Sequence, residues 1–390
     1  MVGGEAKGLS RARDIYQHRD RRVRELKAAG RTVVGYVCVY PVVEMMTALD
    51  LVPYRLFGDM DESITSADDY LPTMVCPFLR SLLDLGLKGR YDFLDGVVMA
   101  HVCDVGARVS HLWNVGVKTP YSYFVDVPHA DRDISQERFK HLLEGFRKSI
   151  QEFAGKEISE SRLKDAIRQH NRQRALVREL YDLRKLDPPL ISGVETLKVV
   201  MAVMSLPVEE GTELLSQVID EVNARHDRPA KKPYRLLVWG PVIDDTALIE
   251  MIESLDVNVV MDDMCVGSRA FFSDVPLTDD PVDGIAHHYL KDIKCPRTFR
   301  ESNVGGGTIG YKADLEARFG YLGKFAKDWN VNGAILQVLR YCDSHGYEVP
   351  QIKDYLESIG LPNIYLEHDY SKAGLAPLRT RVQGLTEIIG

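Results

Sequence analysis

Thr32-Val33-Val34-Gly35-Tyr36-Val37, then Pro41-Val42-Val43-Glu44-Met45-Met46-Thr47-Ala48-Leu49, then Leu51-Val52-Pro53-Tyr54-Arg55-Leu56: the reading of this stretch decides the fold class. The first run is apolar and β-branched, the pattern of a buried strand. The second carries proline in its first turn, where a missing N–H costs nothing, and reads as a helix. The third returns to a strand. Strand, helix and strand in quick succession predict a parallel sheet.

Working outward, Phe93–Met99 and Tyr121–Val125 extend that sheet, and residues 9–30 read as a charged helical lead-in. From 136 to 225 the character changes. Phe139–Phe153, Glu160–Leu183 and Gly193–Met204 carry helical periodicity with many charges, as a helical layer between two α/β halves would. Asn223–Pro233 is a polar linker. A second α/β half follows, with strands from Tyr234, at Val257–Met261, Ala334–Leu339 and Ile364–Leu366. Its helices are expected at Thr246–Ser254, Ala313–Trp329, Gln351–Ser358 and Leu375–Ile389. Val304–Thr308 reads as a loop. The expected units are an N-terminal helical segment 1–30, α/β domains 31–135 and 231–390, and a helical region 136–230.

The 390 residues are 45% hydrophobic and 27% charged, ordinary for a globular chain with a real core. A net charge of −8 offers no basic footprint for nucleic acid. The first residues lack the basic and apolar regions of a signal peptide, and no apolar run approaches a membrane span of roughly 18 residues. A cytoplasmic protein, with no membrane or nucleic-acid partner, is the expectation. In a reducing cytosol six cysteines read as thiols, metal ligands or redox groups sooner than as disulfides.

Open α/β sheets bind ligands outside the carboxyl ends of their strands. Cys103, Cys265 and Cys342 each follow an expected strand and so belong on that edge. Cys76, in Val75-Cys76-Pro77-Phe78, precedes the helical run Leu79–Leu87, where the helix dipole favours a thiolate. Cysteine-ligated iron–sulfur chemistry fits such a set, because a cluster held by three thiolates leaves one iron open. Zinc is the competing metal, but no Cys-x-x-Cys pair is present. The plain alternative is that free cysteines are small buried side chains. Cys38 is read that way, as core, and Cys295 as structural although it could line a site.

Met74-Val75-Cys76-Pro77-Phe78-Leu79-Arg80-Ser81, Tyr91–Val98, Cys103-Asp104 with Arg108 and Trp113, Asp262–Arg269, Arg340-Tyr341-Cys342-Asp343, and the tail Asp369-Tyr370 with Leu378–Arg381 resemble the benzoyl-CoA reductase / 2-hydroxyacyl-CoA dehydratase family. The resemblance runs from about residue 31 to the end. It implies two Rossmann-like (flavodoxin-like) parallel-sheet domains with an additional helical layer. It also implies a [4Fe-4S] cluster on Cys76, Cys103 and Cys342, with Cys265 in reserve for the third position. The implied activity is ATP-dependent one-electron reduction of an aromatic acyl-CoA thioester, of the benzoyl-CoA reductase type. The alternatives are a 2-hydroxyacyl-CoA dehydratase subunit working through a ketyl radical, or a small-molecule reductase with a double-cubane [8Fe-9S] cluster. Implied partners are the acyl-CoA, a homologous second subunit or a second copy, and a separate ATP-hydrolysing iron–sulfur activator. Gly305-Gly306-Gly307-Thr308 lacks the lysine of a P-loop, so this chain is not the ATPase. The stretch Pro41-Val42-Val43-Glu44, with Leu49-Asp50 where relatives often carry Ala-Gly, departs from the pattern and leaves Glu44 without an assured role.

Other residues keep two readings. Asp262-Asp263 could shape a cluster's surroundings or open a helix. His101 could donate a hydrogen bond near Cys103, which would tune a potential. His287 and His288 point in different directions on a helix and read as packed or solvated. Arg80, Arg108 and Arg269 could bind CoA phosphates or hold carboxylates. A non-catalytic cluster carrier, or a binding protein with buried thiols, would be the readings from outside enzymology.

Overall fold

Two parallel four-stranded sheets of identical order carry the chain, in a computed structural model that describes residues 8–302 and 307–390. In the first, β1 (Val33–Tyr36), β2 (Val52–Arg55), β3 (Gly96–Ala100) and β4 (Tyr121–Val125) lie in the order β2-β1-β3-β4. In the second, β5 (Tyr234–Trp239), β6 (Val257–Asp263), β7 (Gly333–Leu339) and β8 (Asn363–His368) lie in the order β6-β5-β7-β8. Registers such as Val33 beside Val52, and Leu236 beside both Val259 and Gly333, are parallel throughout. Strands β3, β6 and β7 are buried along their whole length; β3 is apolar throughout, while β6 and β7 bury Asn258, Asp262, Asp263 and Gln337 among their apolar residues.

In both sheets the chain moves outward from the first strand in one direction and from the third in the other. The reversal lies between β1 and β3, and between β5 and β7. Such a reversal opens a crevice at the carboxyl edge.

The central helices are Asp133–Ala154, Glu160–Asp182, Gly193–Val203 and Val208–Ala224. Two of the starts have a clear local cause. Ser159 accepts from the Arg162 N–H, and Ser192 forms a reciprocal capping box with Glu195. The lead-in is two helices, Gly8–Gln17 and Arg21–Ala28, with a turn between them. They join the central layer, where the Leu9 N–H reaches Glu221 at 2.9 Å and Arg22 pairs with Glu210 at 2.7 Å.

The loop expected at Val304–Thr308 is corrected at its end. Residues 304–306 lie outside the described ones, whereas Gly307 and Thr308 open a helix running to Asp328, six residues before the expected start at Ala313. Bonds between the halves include the Gly58 N–H to Asp244 at 2.7 Å, on a carboxylate that Tyr370 Oη of the same half also holds at 2.9 Å. The loop after β4 also pairs with the loop holding Cys295, through the Phe299 N–H to the His129 carbonyl at 2.7 Å. Among the described residues no helix is long and apolar enough to cross a membrane.

Candidate functional site

All six cysteines line one cavity of about 310 Å³ at the facing carboxyl edges of the two sheets. Cys38 and Cys103 follow β1 and β3, the two strands that flank the reversal in the first sheet. Cys342 follows β7 and Cys265 follows β6. Cys76 stands immediately before the helix Pro77–Leu87, and Cys295 before Pro296 in the loop tied to β4. Apolar side chains including Phe78, Leu79, Val105, Val242 and Leu339 fill the wall between the thiols.

Two sequence expectations change here. Cys38 is not part of the strand core. It lies beyond β1 in a left-handed conformation, φ 66°, half-buried and on the cavity wall. A non-glycine residue there carries strain of order 1–3 kcal/mol, which surrounding structure must hold in place. Cys295, read as structural, lines the same cavity. Tyr341, just before Cys342, is the second left-handed residue on this wall, φ 63°.

N–H donors are aimed at the sulfurs. The Gly106 N–H reaches Cys103 Sγ at 3.2 Å, as the N-terminal cap of the helix Asp104–Gly116. Arg269 Nη1 stands 3.5 Å from Cys265 Sγ, and His345 Nδ1 stands 3.5 Å from Cys342 Sγ. Arg269 also lies 3.0 Å from His345 Nε2. A guanidinium only donates, so Nε2 accepts and Nδ1 carries the proton that points at Cys342. Burial, and then the Arg269 charge, hold His345 neutral by lowering its pKa well below the usual value. Arg269 is in turn held by Asp263 at 3.0 Å, with Tyr321 Oη on the same carboxylate at 2.7 Å. His345 and Arg269 thus form a positioning chain that spacing alone did not single out; the only hint was a histidine three residues after Cys342.

The thiols are buried close together, and several raise one another. Burial pushes Cys76 up to about 12. Cys342 is raised by burial and then by Cys76, Cys103 and Cys265. Cys38 is raised by burial and then by Cys265, Cys103 and Cys295. Burial thus holds Cys38, Cys76, Cys103, Cys265 and Cys342 toward the thiol form, and they ionise against a bound cation. Among the described residues no three His, Cys, Asp or Glu side chains converge on a single-ion site. The thiols ring a space instead, which is the donor arrangement a polynuclear iron–sulfur group requires.

The remaining expected residues fall elsewhere. His101 bonds Asp126 at 2.8 Å beside the cavity, with its ring edge-on to His129. Asp262 is held by Tyr181, Arg184 and the Ser268 N–H. Arg80 pairs with Asp68, Arg108 with Asp104 and Arg269 with Asp263, so each holds a carboxylate. His287 and His288 diverge, toward Asp292 and Ser273. Glu44 is fully buried against Arg174 at 2.5 Å and Tyr289 at 2.8 Å. Burial alone would raise its pKa, but Arg174 outweighs that and holds it at about 2.

A family model described as 2-hydroxyglutaryl-CoA dehydratase, D-component, matches residues 38–389. The chain is similar to the (R)-phenyllactyl-CoA dehydratase beta subunit of Clostridium sporogenes, 23% identical over 94% of both chains. It is also similar to a benzoyl-CoA reductase subunit of Thauera aromatica, 24% identical over 95% of both. A third relative is the putative dehydratase subunit YjiM of Escherichia coli, 27% identical over 94% of both.

Proposed function

The chain belongs to the 2-hydroxyglutaryl-CoA dehydratase D-component family, and from that premise we propose that it is a low-potential iron–sulfur reductase whose six cysteines hold one double-cubane [8Fe-9S] group. It is an enzyme of the oxidoreductase or lyase kind. The observation that carries the finer reading is the convergence of all six thiols, three from each α/β half, on one cavity.

The thiols act on one another across the halves, Cys342 with Cys76 and Cys103, Cys38 with Cys265 and Cys103, and Cys103 with Cys295, so the six form one connected set. Bound there, the group would supply electrons at a potential low enough for substrates that ordinary reductants leave untouched. The chain's own residues do the rest. Gly106, Arg269 and His345 stabilise thiolate charge through N–H donors, which raises a potential. The apolar wall excludes water. Because burial holds Cys38, Cys76 and Cys342 toward the thiol form before loading, binding releases protons, and loading weakens as pH falls. Electrons come from a separate ATP-hydrolysing iron–sulfur activator, and a second copy of the chain completes the catalytic unit.

A second reading has its own support, in relatives named as subunits of dehydratases and of benzoyl-CoA reductase. In it, Cys76, Cys103 and Cys342 hold one [4Fe-4S] cluster, and an acyl-CoA is reduced or dehydrated with a homologous partner subunit. Iron and acid-labile sulfide per chain after anaerobic purification separate the two. About eight irons support the double-cubane reading, and about four the acyl-CoA reading. In the second case, turnover of benzoyl-CoA against a 2-hydroxyacyl-CoA, with activator present, decides between reductase and dehydratase. No iron after reconstitution would sink both.

A further inference from the structure

Buried arginines in this protein follow a rule with two exceptions. Arg174, Arg184, Arg235, Arg269 and Arg300 are buried, and each has a carboxylate within 4.0 Å. Arg55, 1% exposed, and Arg297, 7% exposed, have none among the described residues. Arg55 donates from Nη1 to the Cys38 carbonyl, and its Nε and Nη2 are unpartnered. Arg297 donates to the Pro128 carbonyl at 2.6 Å and the Val127 carbonyl at 2.8 Å, with His129 Nδ1 at 2.9 Å and Nε unpartnered. Burial, then the neighbouring Arg297 charge, lowers His129 to about 4, so it faces Arg297 as a neutral acceptor and offers no counter-charge.

A buried cation without an anion is costly, by several kcal/mol even after relaxation. One exception lines the cysteine cavity, and the other lines the neighbouring pocket that shares Cys38 with it. The first is Arg297; the second, Arg55, is bonded to the backbone of Cys38. An iron–sulfur group with its thiolates is anionic, and gains one further negative charge on reduction. Net charge around such a group is one of the determinants of its potential.

We propose that Arg55 and Arg297 are the counter-charges of the anionic group held by the six thiolates, and that they raise its reduction potential. They are positioning residues, since neither bonds a sulfur. The proposal rests on the double-cubane reading above. It adds a division of labour: Cys side chains hold the group, while two guanidiniums set how readily it takes an electron.

The test is an EPR-monitored redox titration of the full chain, purified anaerobically, with iron counted in each sample. Arg55→Met and Arg297→Met are expected to retain iron and to shift the midpoint negative by at least a tenfold change in the reduction equilibrium, about 59 mV for one electron. Arg55→Lys and Arg297→Lys, which keep the charge, should stay near wild type. An unchanged midpoint in iron-replete Met variants would overturn the proposal. Where a Met variant loses iron, retention by its Lys counterpart supports the charge role, and loss in both overturns it in favour of a requirement for shape. Failure of the underlying reading shows separately, as a wild-type chain with about four irons or none, and this proposal falls with it.

Discussion

The two α/β halves of this chain share a strand order, and part of their cysteine placement, but differ at one corner. Each half has a Cys-Pro between its second and third strands, Cys76-Pro77 and Cys295-Pro296. Each has a Cys-Asp just after its third strand, Cys103-Asp104 and Cys342-Asp343, at the start of a helix. At the first strand they part. Cys38 follows β1, whereas Gly240 follows β5, and the second half puts its third thiol, Cys265, after β6. The backbone at this corner of the second half is also tight, since a Cβ at Gly240 would run into the Gln337 carbonyl and side chain. The halves thus match at the Cys-Pro and Cys-Asp positions, and differ in where the third thiol stands.

That correspondence breaks or sharpens on measurement. The largest effect is expected from the matched pair: Cys103→Ala and Cys342→Ala should each lose most of the iron, to a similar degree. Near-wild-type iron in either would deny that the two positions are equivalent. Cys38→Ala, which has no counterpart, should lose less iron than either matched variant. Full retention would return Cys38 to the core reading.

Gly240→Ala comes next, with an expected loss of about 1–3 kcal/mol from overpacking against Gln337, read as a lowered urea midpoint at unchanged slope. An unshifted midpoint would mean that the corner has room after all.

The smallest effect concerns pH. Burial lowers His170 to about 4 and His288 to about 3, below the ordinary value of 6.5. Between those values the unfolded chain binds protons that the folded chain refuses. Their contribution is therefore full above about pH 6.5 and declines as pH falls, at up to about 1.4 kcal/mol per pH unit for each. Urea midpoints at pH 7 and pH 5 check it: a higher midpoint at pH 5 would be the wrong sign.

Much of this was legible in the sequence, and the exceptions share a cause. The strands were readable because they are buried on both faces and therefore continuous in β-branched and apolar residues. Cys76, Cys103, Cys265 and Cys342 were placed at the carboxyl edges by their position after strands or before a helix. Cys38 was not, because a thiol beside an apolar strand looks like core until its left-handed backbone is known. Cys295 reaches the cavity through a strand-like bridge between Ala130 and Phe299, a contact far apart in sequence. Arg55 closes an apolar strand and Arg297 sits in a loop, and only their lack of carboxylate partners in three dimensions sets them apart.

The thiols are drawn from both halves, and they act on one another across the joint: Cys342 with Cys76 and Cys103, Cys38 with Cys265 and Cys295. A group seated on such a mixture works as a rivet. Its loading joins two sheets that otherwise meet through contacts such as the Gly58 N–H with Asp244, and its loss leaves those contacts to hold the joint alone. The iron-depleted chain should then be cut faster by a protease between its halves than the loaded chain, with equal cutting rates as the contrary result. Supply of iron and sulfide would in that way govern how long the polypeptide survives, as well as whether it turns over.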